Sequence, residues 1–243
     1  MLHFRIDWRF LVLAAVFLPV TISAGFWQLG RADYKESLQD TYLSAQAAPP
    51  LGCDDIAEGD GRWRRGRIEG RFEGGRQILV DNRTHQGKAG YQVITPFRCA
   101  DGTLALVDRG WIRIPEGLRD RAPELTVPDG AVTLFGSWVE RVPENPATLE
   151  APFEQTWPRR ILHWDAAAVG AALGGAHRLW FVLEDGQPGA LVAAFPERDF
   201  KIDMHLGYAF QWFAISLGIV IWFLFTAIRW QRSDPQQDEQ GNG

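Results

Sequence analysis

A chain of 243 residues with 46% hydrophobic and 23% charged side chains has room for one or two domains with a real core. Its formal net charge of −5 provides no basic surface for phosphates, so nucleic acid is not an expected partner. Two cysteines, Cys53 and Cys99, are too few for a disulfide framework and lack metal-ligand spacing. Either they stay unpaired as small buried residues, the simpler expectation, or they form one bridge in an oxidising compartment.

Residues 1–9 form a short polar lead carrying Arg5 and Arg9, read as cytoplasmic. From Phe10 to Leu29 the chain is apolar apart from Thr21, Ser23 and Gln28. A cleaved signal peptide would show a basic start and a small-residue cut site such as Ser23-Ala24-Gly25. The apolar run is nearer the length of a spanning helix, about 20 residues, which favours a retained anchor over 10–29. Pro19 is tolerable there, because neighbouring helices can satisfy a freed carbonyl in lipid. Leu29, Tyr34, Leu38 and Tyr42 then recur at helical spacing, predicting a helix over 30–48 that Pro49-Pro50 ends. An acidic loop follows from Leu51 to Gly61.

Between Arg62 and Glu184 the period becomes strand-like. Arg67–Phe72 and Gln77–Asn82 flank Gly74-Gly75, a hairpin signal, and Gly90–Phe97 and Thr103–Trp111 flank Asp101-Gly102, a stronger one. Ala131–Val139 and Arg178–Leu183 read as further strands, and Asp165–Leu173 as one alanine-rich helix with Asp165 as N-cap. The segment 30–204 is therefore expected to be a mainly antiparallel β domain of α+β class with a little helix. Gly207 to Ile228 carries no charge and is long enough to cross a bilayer, giving a second span over 205–228. A polar tail, 229–243, is read as cytoplasmic and disordered. Arg5 and Arg9 before the first span, with Arg229 and Arg232 after the second, place both termini in the cytoplasm. Trp8 and Trp27 bracket the first span, while Trp222 and Trp230 mark the inner end of the second, as interfacial aromatics do. A bacterial inner membrane with a periplasmic central domain is the simplest placement.

On a helix, His205, Tyr208, Ala209, Trp212 and Ser216 share a face, while Gly207, Gln211, Ala214 and Gly218 form a small-residue track suited to a packed partner helix. An imidazole beside two aromatics is a plausible axial site for haem iron. From the residues alone, an interfacial histidine among belt aromatics is the plainer reading. Arg62, Arg64, Arg65 and Arg67 form a basic cluster that could meet lipid headgroups or haem propionates, though exposed strand arginines explain it more simply. His3, His85, His163 and His177 are scattered without paired spacing. Asp81, Asp108 and Arg109 lie in β runs, where structural ion pairing outweighs catalysis. No nucleophile elbow, zinc-protease motif, phosphate loop or dinucleotide fingerprint is present in the chain, so an enzyme is disfavoured.

Taken together, Gly25-Phe-Trp27-Gln28-Leu29-Gly-Arg31 with Lys35, Asp81-Asn82-Arg83, Gly90-Tyr91, Thr95-Pro96-Phe97 and Val107-Asp-Arg109-Gly110-Trp111 resemble the motifs of the Surfeit locus protein 1 family. His205-Leu-Gly-Tyr208-Ala-Phe-Gln-Trp212-Phe213 is similar to its closing motif. The resemblance runs nearly the whole chain in order. It implies an assembly factor for haem-copper cytochrome c oxidase, a respiratory-chain biogenesis chaperone with two spans and an outer domain. It further implies haem a as cofactor, His205 as the iron ligand with Tyr208 and Trp212 beside it, and oxidase subunit I and a haem a synthase as partners. One departure is that asparagines common just before the histidine in relatives are here Asp203 and Met204. The alternative within the same resemblance is a membrane scaffold that stabilises subunit I and never holds haem.

Overall fold

The structure is a computed structural model that describes residues 8–57, 61–114, 123, 125–140, 156–162, 164, 166–174, 179–192 and 199–227. The lead residues 1–7, His3, Arg5, His163, Asp165, His177, Arg178, Arg229, Trp230 and the polar tail lie outside the described residues. Two compact units are present, one made of 1–40 with 199–243 and the other of 41–198.

The first unit is a helix pair. Helix α1, Trp8–Ala47, runs unbroken for 40 residues, so the span and the helix expected after it are one element. At 1.5 Å per residue it is about 60 Å long, roughly twice a hydrocarbon core. Pro49-Pro50 ends it as expected, because a residue before proline avoids helical geometry. Helix α3, Ile202–Ala227, has 26 residues and carries Asp203 in its first turn, where a carboxylate meets the positive end of the helix dipole. Both helices are long and apolar enough to cross a membrane.

The less exposed residues of each helix follow alternating steps of three and four. On α1 one such line is Ala14, Leu18, Thr21, Gly25, Gln28, Ala32 and Lys35, and on α3 it is Ile202, His205, Ala209, Trp212, Ser216, Ile219 and Phe223, with half-buried Ala24, Leu29, Arg31 and Phe213 beside these lines. That 3.5-residue repeat is the signature of two helices packed along a seam. Phe10 meets Trp222 edge-on at 5.1 Å, Phe26 meets Phe213 at 5.4 Å, and a Cβ on Gly25 would come within 2.7 Å of the Phe213 ring. The small-residue track expected at the contact is not there. Gly207, Gln211, Ala214 and Gly218 are exposed, and a Cβ added to Gly207 or Gly218 meets nothing within 4 Å. Larger side chains on the neighbouring face bury more apolar surface against α1, and they set the rotation of α3.

The second unit is built on seven strands: β1 Arg65–Phe72, β2 Ile78–His85, β3 Lys88–Cys99, β4 Leu104–Arg113, β5 Val132–Glu140, β6 Arg159–Ile161 and β7 Leu179–Leu183. Their order is β1-β5-β7-β4-β3-β2-β6, with a further pairing of β1 to β3. Strands β1, β5, β7, β4 and β3 therefore close into a ring, which removes their free edges. Its interior holds Ile68, Phe97, Val107, Leu134, Trp138 and Phe181. Outside the ring, helix α2 (Ala166–Leu173) contributes Val169 and Leu173 to a second cluster with Ile78, Val80, Ile94, Leu106 and Trp180. Gly174, at φ 82°, stops that helix.

Strands β3 and β4 form the hairpin expected at Asp101-Gly102, with Arg98 opposite Leu104. The hairpin expected at Gly74-Gly75 does not form. A short 3₁₀ turn, Gly74–Arg76, separates β1 from β2; β1 pairs with β5 and β3, and β2 with β3 and β6. The sheet is also mixed, since β2–β6 and β4–β7 run parallel. The cysteines correct another expectation: Cys53 and Cys99 are joined by a disulfide, with Cα atoms 6.5 Å apart. The bond ties the loop after α1 to the end of β3 and sits in the ring's core.

Candidate functional site

His205 lies on the second position of the α3 seam, one turn into the helix. Its Nδ1 is 2.8 Å from Oε1 of Gln28 on α1, a contact across 177 residues of sequence. Among the described residues Nε2 makes no hydrogen bond. Three turns deeper, Ser216 Oγ donates to Thr21 Oγ1 at 2.7 Å, and the Thr21 hydroxyl donates to the Phe17 carbonyl at 3.0 Å. A polar group facing hydrocarbon is expensive unless bonded, and these two pairs satisfy each other across the seam.

The residues expected to stand with His205 are not all brought together. Trp212 is on the seam and half-buried, but Tyr208 is 47% exposed and points away from α1. Beyond Gln28, half-buried Arg31 lies 5.3 Å over the Tyr34 ring and Lys35 continues the seam. Gln28 stood out in the sequence as a polar interruption of an apolar run and as part of the motif from Gly25 to Arg31.

The basic cluster is used within its own unit. Arg62 stacks on Trp63 at 3.9 Å and lies 3.8 Å from Glu140, Arg64 donates to the Pro49 carbonyl, and Arg67 pairs with Glu69. Asp81 accepts from the Asn82 amide at 2.6 Å, beside the bulge where Asn82 takes φ 57°. Arg109, 4% exposed, is structural, though not through an ion pair among the described residues. It donates to the carbonyls of Gly189 (2.6 Å) and Thr126 (2.7 Å) and to Oε1 of Gln77 (2.9 Å). Burial lowers its pKa from the ordinary guanidinium value. Asp108, 2% exposed, accepts from the Gly110 amide at 3.0 Å and from Gln92. Trp111 Nε1 donates to the Arg83 carbonyl at 2.8 Å, and the Trp111 ring fills the space a Cβ on Gly90 would need. Three stretches singled out in the sequence thus meet in one packing node.

With Thr21 and Ser216 in contact, a disulfide should form between Thr21→Cys and Ser216→Cys in membranes. Gly25→Leu should lower that yield about tenfold, the range expected for overpacking, while Gly218→Leu should leave it unchanged. Cross-linking yield on non-reducing gels reads this; equal loss in both leucine variants would reject the seam.

Two long apolar helices in one unit, and between them in sequence a disulfide-tied β ring, define a two-helix candidate membrane protein with one polar pair near the start of its second helix. The chain belongs to the SURF1 family, whose family model matches residues 15–217 and so includes both Gln28 and His205. A SURF1-like protein of Mycobacterium tuberculosis is 28% identical over 239 residues, covering 92% of this chain and 84% of that protein. One from Rickettsia conorii is 22% identical over 238 residues, covering 91% and 92%. Surfeit locus protein 1 of Xenopus tropicalis is 26% identical over 223 residues, covering 82% and 69%.

Proposed function

We propose that this protein is a cytochrome c oxidase assembly factor that holds haem a through His205 for oxidase subunit I. The observation behind the reading is the state of that imidazole. Nδ1 is engaged by Gln28 at 2.8 Å and Nε2 makes no hydrogen bond among the described residues, and a metal-ligating histidine likewise has one ring nitrogen anchored and the other open. The fit is to the flank of the pair. Thr21 against Ser216 and Gly25 against Phe213 leave no room for a macrocycle inside the seam, so haem is placed on the hydrocarbon-facing side of α3. There Tyr208, one turn on from His205 and on the same side of the helix, is exposed and offers aromatic surface to a flat apolar ligand.

Bound haem would supply the redox-active iron the oxidase needs; this chain's residues hold and orient it and keep it from water. The chain would act as a holding site, with His205 as the residue that would take haem from a haem a synthase and give it up to subunit I. Its place is the bacterial inner membrane, multi-pass, with both termini cytoplasmic and the β unit periplasmic. The Cys53–Cys99 bond supports that side for the β unit, since such bonds persist in oxidising compartments.

The protein purified from cells making haem a should carry a haem absorption spectrum, and His205→Ala should lose most of it. Undiminished haem in that variant would remove the ligand role. The scaffold reading, in which the His205–Gln28 bond only fastens the helices, would then stand. It predicts that Gly25→Leu lowers oxidase yield more than His205→Ala does.

A further inference from the structure

We propose that Gln28 is a positioning residue that selects the tautomer of His205. The purpose assigned to it rests on the haem-holding reading above, but its geometry does not. A glutamine on a span seam that it shares with Ala14, Leu18, Gly25 and Ala32, and whose other mid-seam polar group, Thr21, is bonded to Ser216, needs a partner, because an unbonded amide in hydrocarbon costs several kcal/mol. Its partner is Nδ1 at 2.8 Å, presented to the carboxamide oxygen. A carbonyl oxygen only accepts, so Nδ1 carries the hydrogen and Nε2 keeps its lone pair. A neutral histidine side chain free in water prefers the opposite form, with hydrogen on Nε2. The contact therefore inverts the ordinary preference and leaves the nitrogen facing away from α1 ready to bind a metal. Turning the carboxamide over would offer NH₂ instead, place the hydrogen on Nε2 and close the site, so the two orientations make opposite predictions.

The test uses the full-length chain in detergent with ¹⁵N-labelled histidine, His205 being assigned by its loss in His205→Ala. The wild type should show His205 in the Nδ1–H form. Gln28→Leu should shift it to Nε2–H, and Gln28→Glu, which keeps an acceptor, should preserve Nδ1–H. With hemin as probe, Gln28→Leu should weaken binding about 10- to 100-fold, the usual cost of losing a ligand's orienting partner, and Gln28→Glu should restore most of it. The Thr21→Cys/Ser216→Cys cross-link, retained in Gln28→Leu, shows that the helix pair is intact. A wild-type Nε2–H tautomer, or Gln28→Leu matching wild type in both readouts while His205→Ala loses hemin, overturns the proposal. Hemin binding undiminished in His205→Ala overturns the haem reading instead, and the tautomer spectra still decide the role of Gln28.

Discussion

Gly90→Ala and Gly110→Ala are each expected to destabilise the β unit by about 3 kcal/mol or more, enough to remove much of a domain's net stability. At Gly90 an added Cβ would lie 2.3 Å from the Ile112 carbonyl oxygen and 2.2 Å from the Trp111 ring. The oxygen belongs to the paired strand, with Gly90 and Ile112 in the β3–β4 ladder, and the ring is pinned by its bond to Arg83. Neither can yield without breaking a ladder or a buried hydrogen bond. At Gly110 the obstacle is doubled: φ is 106°, and a Cβ would meet the Val192 carbonyl oxygen at 2.4 Å. The control is Gly75→Ala in the 3₁₀ turn, where nothing lies within 4 Å and a change of at most about 0.5 kcal/mol is expected. Urea unfolding followed by tryptophan signals, many of them in this unit, compares the three. Equal midpoints for Gly90→Ala and Gly75→Ala would show that the Trp111 ring and the Ile112 carbonyl do not confine Gly90.

Removing the disulfide should cost about 4 kcal/mol, the chain-entropy value for closing a loop of this length. Cys53 and Cys99 are separated by 46 residues, and the loop between them contains all of β1, β2 and most of β3. Cross-linking it restricts the unfolded chain far more than the folded one. Both cysteines are buried, at 6% and 4% exposure, so reductant reaches the bond only after the ring opens; the Cys53→Ala/Cys99→Ala double variant is the direct comparison. Its unfolding midpoint should fall well below wild type in oxidised samples, and strong reductant in the unfolding assay should erase the difference. An unchanged midpoint in the double variant would mean the bond contributes nothing.

Much of this architecture could be read locally. Apolar runs of spanning length, the Pro49-Pro50 stop, the Asp101-Gly102 turn and the switch to strand periodicity depend only on neighbours in the chain, and the structure shows helices, a hairpin and strands there. Gly74-Gly75 misled because a glycine pair signals a bend, while the partner of β1 is chosen elsewhere, by the burial of Ile68 and Leu134 in the ring. The cysteines misled because their 46-residue separation says nothing of distance until β3 brings Cys99 beside the loop that carries Cys53. On α3 the face with His205, Trp212 and Ser216 was legible as a unit, but its use as the packing surface was not, nor was the departure of Tyr208 from it.

By itself the sequence determined the family, the two helices, a β-rich stretch between them and an imidazole near the start of the second helix, since these follow from composition, period and motif. Only the tertiary structure decided which helical face turns inward, that Gln28 meets His205, and that the sheet closes on itself around a disulfide. Those outcomes depend on which surfaces bury best against one another across long stretches of chain, and no local pattern contains that comparison.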